Sequence, residues 1–246
     1  MSTGFKGPLV HGTASNQAAY GYRSGFGLVE SAEWKVVFDD FDQFITGNVP
    51  TGWTADVIDT GATAVTSTTE ASAVEIGSDG TTEGTAIYLP LSVKLDGKKC
   101  LIETRVKTTD ADDTDVQFGL SVLTAVTNPE DVWTTAAADL IAFGVLDGDA
   151  TVTMLCDKDN SGSSAELGTI DLADDTWHTL AIVIEGNGTD SSMSCKGYVD
   201  GKLALTWSTE TTIPEDLLLA PFIGGRTGGD AAHVVNFDYL RIVQAR

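Results

Sequence analysis

Between Cys100 and Lys107 the side chains alternate strictly: Cys100, Ile102, Thr104 and Val106 on one side, Leu101, Glu103, Arg105 and Lys107 on the other. A period of two belongs to a pleated strand with one face turned in and one turned out, and a helix cannot satisfy it. The pattern recurs through Val116, Phe118, Leu120 and Val122, and again through His178, Leu180, Ile182 and Ile184. The stretch SMSCKGYVDGKLALTWS (Ser192–Ser208) predicts a hairpin turning on Asp200-Gly201. Met193, Cys195, Gly197 and Val199 share one face before the turn, and Leu203, Leu205 and Trp207 alternate with polar or small neighbours after it. Asp147-Gly148-Asp149 predicts a second hairpin, between DLIAFGVLDG and ATVTMLCDKD.

The β pattern opens at EWKVVFDDF and closes at AHVVNFDYLRIVQ, with turns rich in Asp, Gly, Thr and Asn. These residues tolerate left-handed backbone or bond their own main chain. One segment, NPEDVWTTAAADL (Asn128–Leu140), reads as a helix, with Asn128 as cap and Pro129 in its first turn. About a dozen strands with no alternating helices predict an all-β, two-sheet antiparallel sandwich or barrel. The chain has 246 residues, 42% of them hydrophobic, enough for one large core.

Residues 1–33 differ from the body at 34–246. The first 27 contain six glycines, the cations Lys6 and Arg23, and no acid. Aromatics at Phe5, Tyr20, Tyr22 and Phe26 follow no period, so the segment cannot build a core of its own. It is either an extended arm that inserts those aromatics into another surface, or a tail or strand-like lead-in.

Acids outnumber Lys plus Arg by 36 to 14, a net charge of -22. That excludes a nucleic-acid surface, which needs clustered cations, and disfavours anionic membranes. No apolar stretch is long enough to span a bilayer, and the opening residues lack the apolar run of a secretory leader. Cys100, Cys156 and Cys195 are odd in number, far apart and set in apolar runs, so they read as buried thiols rather than metal ligands or disulfides.

For catalysis, a glycosidase on such a sandwich needs two carboxylates projecting into a groove, which a strand delivers as acids two positions apart. Here the acids gather at turns instead, as in TDADDTD (Thr109–Asp115) and ADDTW (Ala173–Trp177). The histidines, His11, His178 and His233, have no nucleophile motif beside them, and no phosphate-binding loop is present. No enzyme is expected. The run DKDNSGS matches the first half of a calcium loop, with Asp157, Asp159 and Ser161 alternating before Gly162. Gly168 stands where the twelfth-position Glu should be, so a polar hairpin loop is the favoured reading, with Glu166 as a substitute ligand if Ca²⁺ binds. For a sugar, Trp53, Trp133 and Trp207 are available, with Asn128 and Asp131, although tryptophans at strand ends are more often core edges.

Four pieces in order carry a resemblance: FDDFDQF with the GW at 52–53, LIETRVKTTDADDTDVQFGLS (Leu101–Ser121), DLADDTWHTLAIVIEGNG with GYVDGKLA (Asp171–Ala204), and IPEDLLLAPFIGGR with VNFDYLRIVQAR (Ile213–Arg246). Together they resemble the laminin-G or concanavalin-A-like jelly-roll proteins of tailed-bacteriophage heads. The resemblance implies a two-sheet jelly roll and a virion structural protein, a capsid decoration or cement protein made in the host cytoplasm and carried on the capsid exterior. Its partners would then be the major capsid protein or other virion proteins, with copies of itself clustered on the shell. Phe5, Lys6, Tyr20, Tyr22, Arg23 and Phe26 would be the docking residues. The alternative is a carbohydrate-binding module on a virion surface or tail. The Glu-x-Asp-x-Glu of the laminarinase-type glucanases on this fold is absent, and the calcium and sugar ligands of legume-type lectins cannot be placed residue by residue.

Overall fold

In the computed structural model, residues 34–39, 41, 50, 52–58, 63–66, 73–77, 84–122, 139–159, 164–186, 193–228 and 233–245 are described. Within them the alternating runs become fifteen strands: β1 (Trp34–Asp39), β2 (Thr54–Ile58), β3 (Thr63–Thr66), β4 (Val74–Gly77), β5 (Gly84–Tyr88), β6 (Cys100–Thr108), β7 (Thr114–Ser121), β8 (Leu140–Leu146), β9 (Asp149–Asp157), β10 (Glu166–Asp171), β11 (His178–Glu185), β12 (Ser194–Val199), β13 (Lys202–Thr206), β14 (Ala220–Thr227) and β15 (Val234–Ala245). They form two antiparallel sheets. One is eight-stranded, in the order β13-β12-β11-β6-β15-β4-β3, with β1 also on β15; the other is seven-stranded, in the order β10-β9-β8-β7-β14-β5-β2. β15 serves two partners along one edge: Val234–Phe237 pair with β4 and Leu240–Ala245 with β1. A bulge at Asp238 separates the two halves.

The inward faces are those the alternation marks. Cys100, Ile102 and Val106 of β6, Leu180, Ile182 and Ile184 of β11 and Phe237, Leu240 and Ile242 of β15 meet Val116, Phe118 and Leu120 of β7 and Ile141, Phe143 and Val145 of β8 in one continuous core. Phe118 and Phe143 pack edge to face at 6.1 Å between centroids. Each buried aromatic of this kind contributes about 2–3 kcal/mol. Gly197 of β12 makes the contact between sheets close, since a Cβ there would stand 2.7 Å from the Phe143 ring. All three cysteines are buried and unbridged. Burial, with the Cys195 thiol close by, pushes the Cys100 thiol up to about 12, so it stays protonated and inert.

Both hairpins form. Asp200 and Gly201 have φ of 48° and 79°, the pair of left-handed residues that a two-residue turn between twisted strands requires. Asp147-Gly148 joins β8 to β9, with Leu146 opposite Asp149. Beyond Asp200-Gly201 the expected face is altered. Tyr198 pairs with Leu203 and Gly197 with Leu205, so Ala204 is an extra residue on β13. The bulge brings Ala204 and Leu205 inside and leaves Leu203 51% exposed.

The expectation that β6 has one face in and one face out is also corrected. Leu101 and Glu103, on the side away from the core, are as buried as the core residues. Leu101 belongs to a second apolar cluster with Ala181, Val183 and Val243, against which Val36 and Tyr198 pack. Within this second layer the Tyr239 hydroxyl donates to Glu103 Oε1 at 2.8 Å, which meets the need of a buried carboxylate for a donor. The sequence-predicted helix falls at residues that are not described, except for Asp139 and for Leu140, which opens β8. The arm residues 1–33 also lie outside the described residues.

Candidate functional site: an acidic loop rim

Five connections meet at one end of the sandwich: β6–β7 (109–113), the β8–β9 turn (147–148), β10–β11 (172–177), the β12–β13 turn (200–201) and β14–β15 (228–233). The turn-forming acids of the sequence tie them together. Gly148 N–H donates to Asp112 O at 2.6 Å, Gly228 N–H to Asp113 O at 2.9 Å and Asp175 N–H to Thr108 O at 2.8 Å. Side chains reinforce this frame. Asp174 Oδ1 accepts from Ala111 N at 2.8 Å, and Asp110 Oδ1 accepts from the amides of Asp112 and Asp113 at 3.1 and 3.2 Å. Asp115, at the start of β7, accepts from Asp147 N at 2.7 Å and faces Arg226 Nη1 at 3.7 Å. The carboxylates of Asp112, Asp113, Asp147, Asp174 and Asp175 sit on residues exposed to water.

Trp177 follows Asp174 and Asp175 in the same connection, half-buried, with the Arg105 guanidinium 4.7 Å and the Lys107 ammonium 5.5 Å from its ring centroid. Stacked cations of this kind fix the ring at the rim, and Asp238 holds Arg105 in turn at 3.0 Å. Next to it, His178 Nε2 accepts from Ala173 N at 3.0 Å. The proton of the neutral ring is therefore on Nδ1, which donates to Asp200 Oδ2 at 2.8 Å.

Burial works to raise the Asp200 carboxyl, but the hydrogen bonds from His178 and Thr179 prevail and hold it below its ordinary value. A carboxyl depressed by folding adds stability above the unfolded-chain value, and that stability is lost as pH falls through the folded value. Asp200→Asn is therefore expected to lower Tm relative to the unsubstituted chain above about pH 5, with the difference closing in strong acid. Thermal melts of both chains from pH 7 to pH 2 measure it; a gap independent of pH contradicts the assignment.

Behind the exposed acids lies His233, 8% exposed, whose Nε2 has no hydrogen-bond partner among the described residues. One of its ring nitrogens and one carboxylate oxygen each from Asp110 and Asp113 lie within 4.8 Å of one another. His233 also lines a small cavity with Thr114 and Arg226.

The residues singled out in the sequence fare differently. Asp157 ends β9 and is fully buried, Asp159 N–H donates to Asp139 Oδ1 at 2.6 Å, and Glu166 accepts from the Ser208 amide and hydroxyl. Ser161 lies outside the described residues. The half calcium loop thus bridges two paired strands, β9 and β10. Trp53 and Trp207 are core residues, corrected from the sugar-binding set. The Trp53 indole donates to Asp39 at 2.8 Å, and the Trp207 indole to Thr209 O and Thr212 Oγ1 at 2.8 and 2.9 Å. Asn128, Asp131 and Trp133, and the arm residues Phe5, Lys6, Tyr20, Tyr22, Arg23 and Phe26, are outside the described residues. On β7 the positions that alternate with the core are Asp115, Gln117, Gly119 and Ser121, so this strand carries one carboxylate, not a pair two positions apart.

No protein-family model and no characterised protein sequence matches the chain. Solved structures do resemble it. The endo-1,3-β-glucanase from Streptomyces sioyaensis is 14% identical, covering 89% of this chain and 99% of its own, with a TM-score of 0.57. A seed lectin of Lotus tetragonolobus is 11% identical, covering 85% and 99%, with a TM-score of 0.58. The carbohydrate recognition domain of Emp47p is 11% identical, covering 87% and 98%, with a TM-score of 0.55. At such identities the likeness shows the fold, the concanavalin-A or legume-lectin type of jelly roll, and nothing in it points to a phage head.

Proposed function

We propose that this chain is a lectin-like carbohydrate-binding domain and that the acidic rim is its recognition surface. The observation that carries the reading is that exposed Asp112, Asp113, Asp174 and Asp175 and half-buried Trp177 are borne on one hydrogen-bonded frame of loops. Sugar hydroxyls donate to carboxylates, and the apolar C–H face of a pyranose packs on an aromatic ring, so this pairing suits a neutral glycan. A non-catalytic role is favoured by the single carboxylate of β7, which Arg226 and the Asp147 amide already engage. Two of the structural neighbours, a lectin and a carbohydrate recognition domain, share the fold, although fold alone does not assign function.

The test is a glycan array followed by titration calorimetry on the best hit, with Trp177→Ala and Asp175→Asn beside the unsubstituted chain. A loss of about tenfold or more in each variant is expected, since one good aromatic or hydrogen-bonding contact is worth about 1.4 kcal/mol. A hit whose affinity neither variant changes places the sugar elsewhere. A chain that binds no glycan but binds phage heads, and loses that binding when residues 1–30 are removed, supports the shell-docking arm in its place.

A further inference from the structure

We propose that Asp110, Asp113 and His233 bind one divalent transition-metal ion, with Zn²⁺ as the fitting ion. This does not depend on whether the rim binds a glycan. The three ligand atoms lie within 4.8 Å of one another. Zn–O and Zn–N bonds are about 2.0–2.2 Å long, so tetrahedral ligands on one ion stand roughly 3.4 Å apart and these three draw inward as the ion binds.

His233 gives the second, independent observation. It is 8% exposed, and its Nε2 finds no hydrogen-bond partner among the described residues. A buried imidazole nitrogen normally has a donor, an acceptor or a metal beside it, and its absence here marks a place for a ligand.

The two sides of the site are fixed relative to each other before any ion arrives. Thr109 N–H donates to Val234 O at 3.0 Å, and Val234 N–H returns to Thr109 Oγ1 at 3.1 Å. These reciprocal bonds lock the β6–β7 loop beside the residue that follows His233. Asp110 Oδ1 is held by two amides, which orients the carboxylate and leaves its other oxygen for an ion. Asp113 exposes its carboxylate while its backbone O is tied to Gly228. The neighbouring acids Asp112, Asp147 and Asp174 add a negative potential that attracts a cation, and the nearby Arg226 is met by Asp115. The imidazole decides the class of ion: Ca²⁺ and Mg²⁺ prefer all-oxygen shells, whereas one nitrogen and two carboxylates suit Zn²⁺, with Mn²⁺ as the nearest competitor.

Calorimetric titration of the full chain with ZnCl₂ at pH 7.5, repeated with CaCl₂, tests the proposal, using Asp113→Asn and His233→Ala. One Zn²⁺ per chain is expected, with a Zn²⁺-dependent rise in Tm. Both variants should bind at least tenfold more weakly, and metal-free Asp113→Asn should melt with the unsubstituted chain. No heat at 100-fold molar excess, equal affinity in both variants, or preference for Ca²⁺ would each overturn it. If His233→Ala melts early, the Asp113→Asn titration alone still decides.

Discussion

Gly144→Ala is expected to destabilise the domain by about 3 kcal/mol or more, the range reached when a substitution forces backbone apart in a packed sheet. A Cβ on residue 144 would lie 1.7 Å from the carbonyl oxygen of Val116 on the neighbouring strand, where no side-chain rotation can relieve it. β7 and β8 would have to separate at the Gln117–Gly144 pair, breaking the ladder behind Phe118 and Phe143. Gly77→Ala is the control, because among the described residues its added Cβ meets only Val234 Cγ2, at 4.0 Å. Urea unfolding of the two variants should separate them widely. A Gly144→Ala domain within about 0.5 kcal/mol of the unsubstituted one would show that the two strands are not held as closely as described.

The second large effect is expected at Asp115. Its side chain is 2% exposed and faces Arg226, itself 13% exposed. Breaking a buried pair by removing one partner costs about 3–5 kcal/mol, because the remaining charge stays in a poor environment. Asp115→Ala removes in addition the acceptor of the Asp147 amide, the bond that ties the β8–β9 turn to the central strand. Asp115→Asn keeps an acceptor for that amide and loses the charge, so it should fall between the two. Equal stability of Asp115→Ala and the unsubstituted chain would mean that the pair does not tether the rim.

Much of the fold is legible in the chain because β-sandwich rules are local. The alternation in β6, β7 and β11 names the inward residues, and Asp200-Gly201 names its turn from two residues alone. What local rules omit is what lies over the other face. Leu101 and Glu103 look like solvent-facing residues in the sequence, yet a second buried layer takes them in. The bulge that turns Leu203 outward depends on pairing with β12, and no feature within KLALT announces it. The site was harder still. In the sequence TDADDTD is a run of turn acids and His233 a histidine with no motif beside it. Only the Thr109–Val234 bonds bring them together, and no spacing in the chain encodes a contact between neighbouring strands of one sheet that lie 125 residues apart.

The double use of β15 has a consequence for how the chain is made. β1, β4 and β6 all take β15 as a neighbour, and Trp34 pairs with Ala245, so the first and last described strands close on each other. On the ribosome, β1, β4 and β6 emerge long before the strand they share. Until it is synthesised the eight-stranded sheet lacks its middle, and the edges of those early strands stay open to wrong partners. Such distant pairing makes folding slow, with the arrival of β15 as the step that commits the domain to its native form.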